Sequence, residues 1–505
     1  MQVAFMPIIK SYDVDVDGFG VRINVVSKKD FILLYEVSIP EISLGTTALL
    51  DSVKEDLLKE TKISSEEIFE PTAVKRLKEE FKKKAATLIE SAMPNIPDKT
   101  KSILVASLVH EMLGLGHLEI LLADADLEEI VINSSKEAIW VYHKEFGWLK
   151  TNIYPKSEKQ IQNYASIIAR RVGRQISILE PLLDAHLITG DRANATLFPL
   201  STKGNTLTIR KFARKPWTIT DFVANKTLNS EVAAFLWLII QYELNMIIAG
   251  GTSSGKTSFL NILMPFMQPN HRIISIEDTR ELQLPDFLHW VPLTTREPNP
   301  DGKGGVDMLD LMINSLRMRP DRIVVGEIRR ADQAEVLFEA MHTGHSVYAT
   351  LHADTVEQVI RRMTNPPINI PDVMLEALHA IGVVYRDRRQ GIRKMYQLAE
   401  LIPTGETGGK IVLKPNLLYR YKAGGEIVAH DACVRIFDVL MMHTGMSEPE
   451  IISDLSEKIK VIDWLVENRI NDVNDVGRIM ATYYTEPESV VKAATEKSDP
   501  KVLLK

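Results

Sequence analysis

Apolar positions change rhythm along this chain, and each rhythm predicts different elements. Between residues 246 and 350 they gather into short, nearly unbroken runs: 246–249 (MIIA), 272–276 (RIISI), 289–293 (HWVPL), 322–325 (RIVV) and 346–350 (SVYAT). Runs of this length are strands buried on both faces, and helix-like stretches separate most of them. Strands alternating with helices imply a largely parallel sheet covered on both sides. Upstream, residues 103–113 and 159–172 repeat at helical spacing, the second ending near Gly173, while 129–132 and 138–142 read as strands. That is a smaller, mixed α/β domain.

The first fifty residues carry an alternating run at 21–26 (VRINVV) and a more continuous one at 31–37, both read as strands. From 73 to 93 the pattern is helical, with Val74, Leu77, Phe81 and Leu88 set between lysine and glutamate clusters. This predicts an amphipathic helix with a solvated outer face. Pro94 and Pro97 then interrupt it and predict a boundary near residue 95. Residues 213–229, with Lys215-Pro216 and few apolar runs, read as a hinge. The expected organisation is an N-terminal extension (1–100), a mixed α/β domain (101–213), a linker (214–229) and a nucleotide-type α/β domain (230–505). The last is expected to turn helical from about residue 430, where 461–465 and 476–484 are amphipathic.

Composition removes some functions. The chain has 505 residues, 45% hydrophobic and 25% charged, which suits a globular protein of several domains. Its net charge of −7 disfavours a nonspecific nucleic-acid binder, so no nucleic-acid partner is expected. With Cys433 as the single cysteine there is no intramolecular disulfide and no cysteine-cluster zinc site. The most membrane-like stretch, 232–251, carries Gln241, Glu243 and Asn245 and reads as a buried helix followed by a buried strand. The first residues lack a signal peptide's basic start and long apolar segment. No direct membrane insertion is expected; recruitment to a membrane would need a partner.

The chemistry begins where the 246–249 strand ends, in GGTSSGKT (250–257), which fits the phosphate-loop pattern G-x-x-x-x-G-K-S/T. A strand feeding a glycine-rich turn at a helix start presents backbone N–H groups and a partial positive charge to a polyphosphate. Gly250, Gly251, Thr252, Ser253, Ser254, Gly255, Lys256, Thr257 and Ser258 would hold the nucleotide. Lys256 would reach the β/γ oxygens, and the Thr257 hydroxyl would ligate Mg²⁺. Three further stretches narrow the reaction. In RIVVGEIRR (322–330) a strand delivers Glu327, which would hold the metal, directly or through water, or orient the attacking water. In ISIEDTREL (274–282) Glu277 and Asp278 follow another strand. Glu277 is favoured as the base and Glu327 as the Mg²⁺ organiser, though the reverse assignment stays open. In TGHSVYATLHAD (343–354) His345 and His352 flank a strand, a spacing wrong for zinc but open to γ-phosphate sensing by either. Ahead of the nucleotide domain, Arg192 and Arg210 are either surface charges or groups that reach a neighbouring subunit's phosphates. The basic run 385–394 (YRDRRQGIRK) reads as a solvated turn between strands.

In order and spacing, GGTSSGKT, IEDTREL, RPDRIVVGEIR and TGHSVYATLHA resemble the motifs of the type II/type IV secretion ATPase superfamily, the traffic ATPases. The likeness spans residues 100–420 and looks closest to archaeal members of the GspE and FlaI kind and to CpaF-like relatives. It implies a RecA-like P-loop domain that binds ATP and Mg²⁺. It also implies a homohexamer in which Glu277, Glu327, Lys256, His345 and His352 act in catalysis, with Arg192 and Arg210 completing the site. The implied output is mechanical: domain motion driving pilin-like subunit assembly or protein export through a polytopic membrane platform of a secretion, pilus or archaellum machine. The motor would sit in the cytoplasm, peripheral to the membrane's inner face. The cysteine-paired metal module of many bacterial relatives is absent. Two alternatives remain at this level: a DNA-translocating RecA-like ATPase, and a nucleotide-gated oligomeric scaffold.

Overall fold

The computed structural model describes residues 7–27, 31–38, 44–60, 71–187, 190–212, 215–298, 302–387, 391–407, 410–422 and 425–504. The chain divides into two compact units, Met1–Arg214 and Lys215–Lys505.

The first unit opens with strands β1 (Ile8–Val16), β2 (Phe19–Val26) and β3 (Leu34–Val37), then helices α1 (Leu44–Glu60), α2 (Pro71–Ala92), α3 (Asp98–Leu113) and α4 (Leu118–Ala123). Strands β4 (Leu127–Ile132), β5 (Trp140–His143) and β6 (Gly147–Thr151) follow, then α5 (Glu158–Arg171), β7 (Leu182–His186), β8 (Arg192–Thr196) and β9 (Thr206–Arg210). They form one nine-stranded sheet in the order β1-β2-β3-β6-β5-β4-β9-β8-β7. Only the β3–β6 pairing is parallel.

The boundary expected near residue 95 does not divide this unit. The strands of the extension continue the sheet of residues 127–210, and Ile23 and Tyr35 share a core with Ile161 and Ile209. Pro94 does follow the end of α2, and Pro97 caps the start of α3, yet the two helices fold back on each other. Phe81, Ala85 and Ile89 pack with Leu104, Leu108 and Val109. Proline breaks the hydrogen-bond ladder and leaves the apolar faces free to meet. Asp124, just after α4, adds a polar tie, accepting from the hydroxyls of Tyr12 (2.7 Å) and Tyr35 (2.5 Å).

The second unit starts with α6 (Ile219–Ala224), α7 (Ser230–Gln241), β10 (Met246–Gly250) and α8 (Lys256–Leu263). Strands β11 (Ile273–Glu277) and β12 (Trp290–Thr294), α9 (Met308–Ser315), β13 (Arg322–Val325), α10 (Ala331–His342), β14 (Ser346–Leu351), α11 (Val356–Thr364) and α12 (Asp372–Leu375) come next. Strands β15 (Ala380–Asp387), β16 (Ile392–Thr407), β17 (Lys410–Tyr421) and β18 (Ile427–Ala429) precede helices α13 (Arg435–Thr444), α14 (Glu448–Glu467), α15 (Val473–Thr485) and α16 (Pro487–Thr495).

The sheet runs β12-β11-β13-β14-β10-β15-β16-β17-β18. It is parallel from β12 to β15 and antiparallel beyond. Alternate residues serve opposite faces, as strand geometry requires. Met246 and Ile248 join α7, α8 and the C-terminal helices on one side, while Ile247 and Ala249 join α9, α10 and α11 on the other. This is the expected α/β domain with a mostly parallel sheet, and the 232–251 stretch is a buried helix followed by a buried strand. No helix among the described residues is long and apolar enough to cross a membrane.

The expected hinge is more ordered than its composition implies. Ala213 and Arg214 lie outside the described residues. The remainder contains α6, opened by a capping box between Thr218 and Asp221. Phe222 packs edge-on against Phe259 of α8, ring centroids 6.2 Å apart. A six-residue helix is too short to show a period in sequence.

At the amino ends of β11, β13 and β14, a wholly buried Arg322 locks the sheet. Its guanidinium donates to His271 Nδ1 (3.0 Å), Ser346 Oγ (3.1 Å) and Tyr348 Oη (2.6 Å). Arg322→Ala should destabilise the unit by about 2–5 kcal/mol, because it leaves buried polar partners short of a donor and a cavity in their midst. Urea unfolding measures this; a loss below about 1 kcal/mol would show the network to be dispensable.

Candidate functional site

Strand β10 is buried along its whole length and ends at Gly250, where the chain must turn sharply. A Cβ at Gly250 would collide with Ser254 Oγ and stand 2.7 Å from the Val384 carbonyl oxygen, so only glycine fits. Ser253 (φ 59°) and Gly255 (φ 96°) are left-handed, which winds the loop around its own backbone N–H groups. Gly255 is the N-cap of α8 and offers no side-chain cap, so the first-turn N–H groups are left for a ligand.

Lys256 folds back over this loop, donating to the carbonyls of Gly250 (3.1 Å) and Gly251 (3.2 Å). Burial lowers its pKa below the ordinary lysine value; Glu327, Asp354 and Glu281 oppose that shift. Ser254 Oγ is buried with no hydrogen-bond partner among the described residues. Glycines where a Cβ would clash, an orphaned hydroxyl and open helix-end N–H groups together fit a polyphosphate. Thr257 and Glu327 add hard oxygen donors of the kind Mg²⁺ accepts.

Glu277 ends β11 and is 2% exposed. One carboxylate oxygen accepts from the backbone N–H groups of Glu281 (2.9 Å) and Leu282 (3.1 Å). The other, Oε2, is buried and unpartnered among the described residues. Burial pushes the Glu277 carboxyl up to about 7. Glu327, two residues past β13, is paired with Arg329 at 2.8 Å, and Arg329 also holds Asp278 at 2.7 Å. Gly326 lies against Glu277: a Cβ there would meet Glu277 Cα and Cγ at 3.5 Å, an ordinary contact.

The two histidines part company. His352 follows β14 directly and places Nε2 3.2 Å from Thr252 Oγ1 on the phosphate loop. His345 precedes the same six-residue strand, about 20 Å away by strand rise, and contacts Ala340 O and Thr343 Oγ1 instead. The structure does not bring His345 to the loop. In the first unit, Arg192 and Arg210 face each other across β8 and β9. Arg192 forks onto Asp184 (3.1 and 2.7 Å), whose carboxyl it holds below the usual carboxylate range. Arg210 is exposed.

Two residues near the loop escaped the sequence reading. Asp354 Oδ1 lies 2.9 Å from where a Gly251 Cβ would stand; its signal was its position two residues after His352. Arg393, in the run read as a solvated turn, donates from Nε to the Ser253 carbonyl at 3.3 Å. Nothing in the sequence links two residues 140 positions apart.

The chain is similar to several known proteins. The family described as type II/IV secretion system protein matches residues 191–383. The chain is 36% identical over 382 residues to the uncharacterized protein MJ0900 of Methanocaldococcus jannaschii, covering 75% of this chain and 69% of that one. It is 30% identical over 314 residues to the type IV secretion system protein PtlH of Bordetella pertussis, covering 55% of this chain and 92% of PtlH. Among solved structures, the Legionella pneumophila ATPase DotB aligns at 19% identity and a TM-score of 0.41 over 74% of this chain and 93% of DotB. With its phosphate loop, its two strand-end glutamates and relatives matched over most of their length, the chain belongs to the type II/IV secretion system protein family.

Proposed function

We propose that the protein is a Mg²⁺-dependent ATPase acting as a ring of six copies. It would turn nucleotide-driven domain motion into pilin-like subunit assembly or protein export. The observation that carries this reading is the gathering of Lys256, Glu277 and Glu327 at the carboxyl ends of parallel strands, where ligands of open α/β sheets bind. Lys256 would exchange the Gly250 and Gly251 carbonyls for β/γ-phosphate oxygens. Thr257 and Glu327 would hold Mg²⁺, which when bound neutralises phosphate charge. Glu277 Oε2 would take a proton from the water attacking the γ-phosphate, with ADP and phosphate leaving. His352, with Nε2 3.2 Å from Thr252 Oγ1, would register the γ-phosphate; His345, at the other end of β14, would not reach it. Work at the cytoplasmic face of a membrane, on a polytopic platform protein, follows from the family likeness.

Arg192 and Arg210 would complete a neighbouring copy's site. The test is ATPase rate against protein concentration, with light scattering on the same samples. Specific activity should climb as a species near six subunits appears. Arg210→Ala should bind nucleotide normally yet lose that climb. A monomer that turns over fully would remove the shared-site reading, and a chain that binds ATP but never hydrolyses it would leave a scaffold.

A further inference from the structure

Strand β16 begins beside the phosphate loop, and its first residues are held from two sides. Lys394 Nζ donates to the Lys226 carbonyl at 2.5 Å, and the Met395 N–H donates to Thr227 O at 2.9 Å. The Met395 side chain is fully buried in the core. On the partner strand, Val384 stands opposite Met395 and pairs with Gly250 of β10. Arg393 is thereby fixed against the loop from outside it. Its Cδ lies 3.5 Å from where a Gly255 Cβ would stand, and its Nε reaches the Ser253 carbonyl at 3.3 Å.

That carbonyl matters because of peptide geometry. In a trans peptide the C=O and the following N–H point in opposite directions. Holding the Ser253 carbonyl outward therefore turns the Ser254 N–H inward. At present that N–H meets the Gly251 carbonyl at 3.3 Å, a long contact that a phosphate oxygen can displace. Ser253 itself sits at φ 59°, a conformation that a residue with a Cβ resists. An external hydrogen bond is needed most at such a residue.

We propose that Arg393 is a positioning residue for nucleotide. By gripping the Ser253 carbonyl, it presets the peptide whose Ser254 N–H receives the phosphate common to ADP and ATP. This rests on the nucleotide-binding reading above and adds a residue from a distant hairpin to it.

Titration calorimetry with ADP and with a non-hydrolysable ATP analogue, alongside steady-state ATPase kinetics, tests it on the full chain. Arg393→Ala should weaken both ligands by a similar factor of about ten, the worth of one charge-assisted hydrogen bond. KM should rise while kcat stays within about twofold, as for loss of uniform binding. Arg393→Lys, which keeps a donor, should recover most of the affinity, and the melting temperature without nucleotide should not change. Unchanged affinity for both ligands would overturn the proposal, and so would a loss confined to the ATP analogue, which would make Arg393 a γ-phosphate contact. Wild-type protein that bound neither ligand would overturn the ATPase reading as well; wild-type binding with an unaffected Arg393→Ala overturns this inference alone.

Discussion

Lys256→Ala protein is expected to bind neither ATP nor ADP at concentrations that saturate the wild type, with affinity down at least a few hundredfold. The ammonium stands among Glu327, Asp354 and Glu281, the three carboxylates that hold its charge up against burial. Removing it deletes an attraction to the polyphosphate worth on the order of 4 kcal/mol at contact distance and an effective dielectric near 20. It also leaves those carboxylates facing an anion. The folded state loses less: two hydrogen bonds to the Gly250 and Gly251 carbonyls, in a loop that water can reach. The melting temperature without nucleotide should therefore stay within a few degrees, while the rise on adding ADP, present in the wild type, should vanish. Equal affinity in mutant and wild type would remove the phosphate-loop assignment and everything built on it.

What sequence could reveal here followed the burial of each element. The strands β10, β11, β13 and β14 are buried on both faces, so their apolar runs are nearly continuous, and their order with the intervening helices already implied a parallel sheet. The antiparallel strands β15 to β18 were harder. Beyond Val384 the β15–β16 hairpin leaves the core, its residues turn charged, and the run reads as a turn although it carries Arg393 to the phosphate loop. Strand β1 was missed for a related reason, since its first half is largely exposed. The histidine pair shows the opposite failing. Both were tied to one strand correctly, but a strand has two ends, and only its carboxyl end meets the loop. That distinction follows from strand rise alone. The pairing of the extension with residues 127–210 needed the structure, because β3 and β6 are neighbours through three-dimensional pairing rather than sequence proximity.

Glu277→Gln and Glu327→Gln should separate the two strand-end glutamates by their pH dependence. Glutamine fits at 277. Its carbonyl oxygen can keep accepting from the N–H groups of Glu281 and Leu282, so the loop that follows β11 stays in place. Its amide cannot take a proton where Oε2 now stands. ATP should bind as in the wild type and turnover should fall at least about a hundredfold, the range for losing a general base. In the wild type, burial holds the Glu277 carboxyl near pH 7. Below that the group keeps its proton and cannot accept another; above it the carboxylate is available. Wild-type kcat/KM, which reports the free enzyme, should therefore rise with pH and level off above about 7, the value burial gives this carboxyl. Glu277→Gln should abolish that limb. Glu327→Gln should also be slow if the side chain, bound to Arg329 and interacting with Lys256, has its proposed part in holding metal and water. It should nevertheless keep the limb, since the proton acceptor is intact. The reverse pattern, with the limb surviving in Glu277→Gln and gone in Glu327→Gln, would transfer the base to Glu327. The buried Oε2 of Glu277 would then be a structural orphan, silent in the reaction.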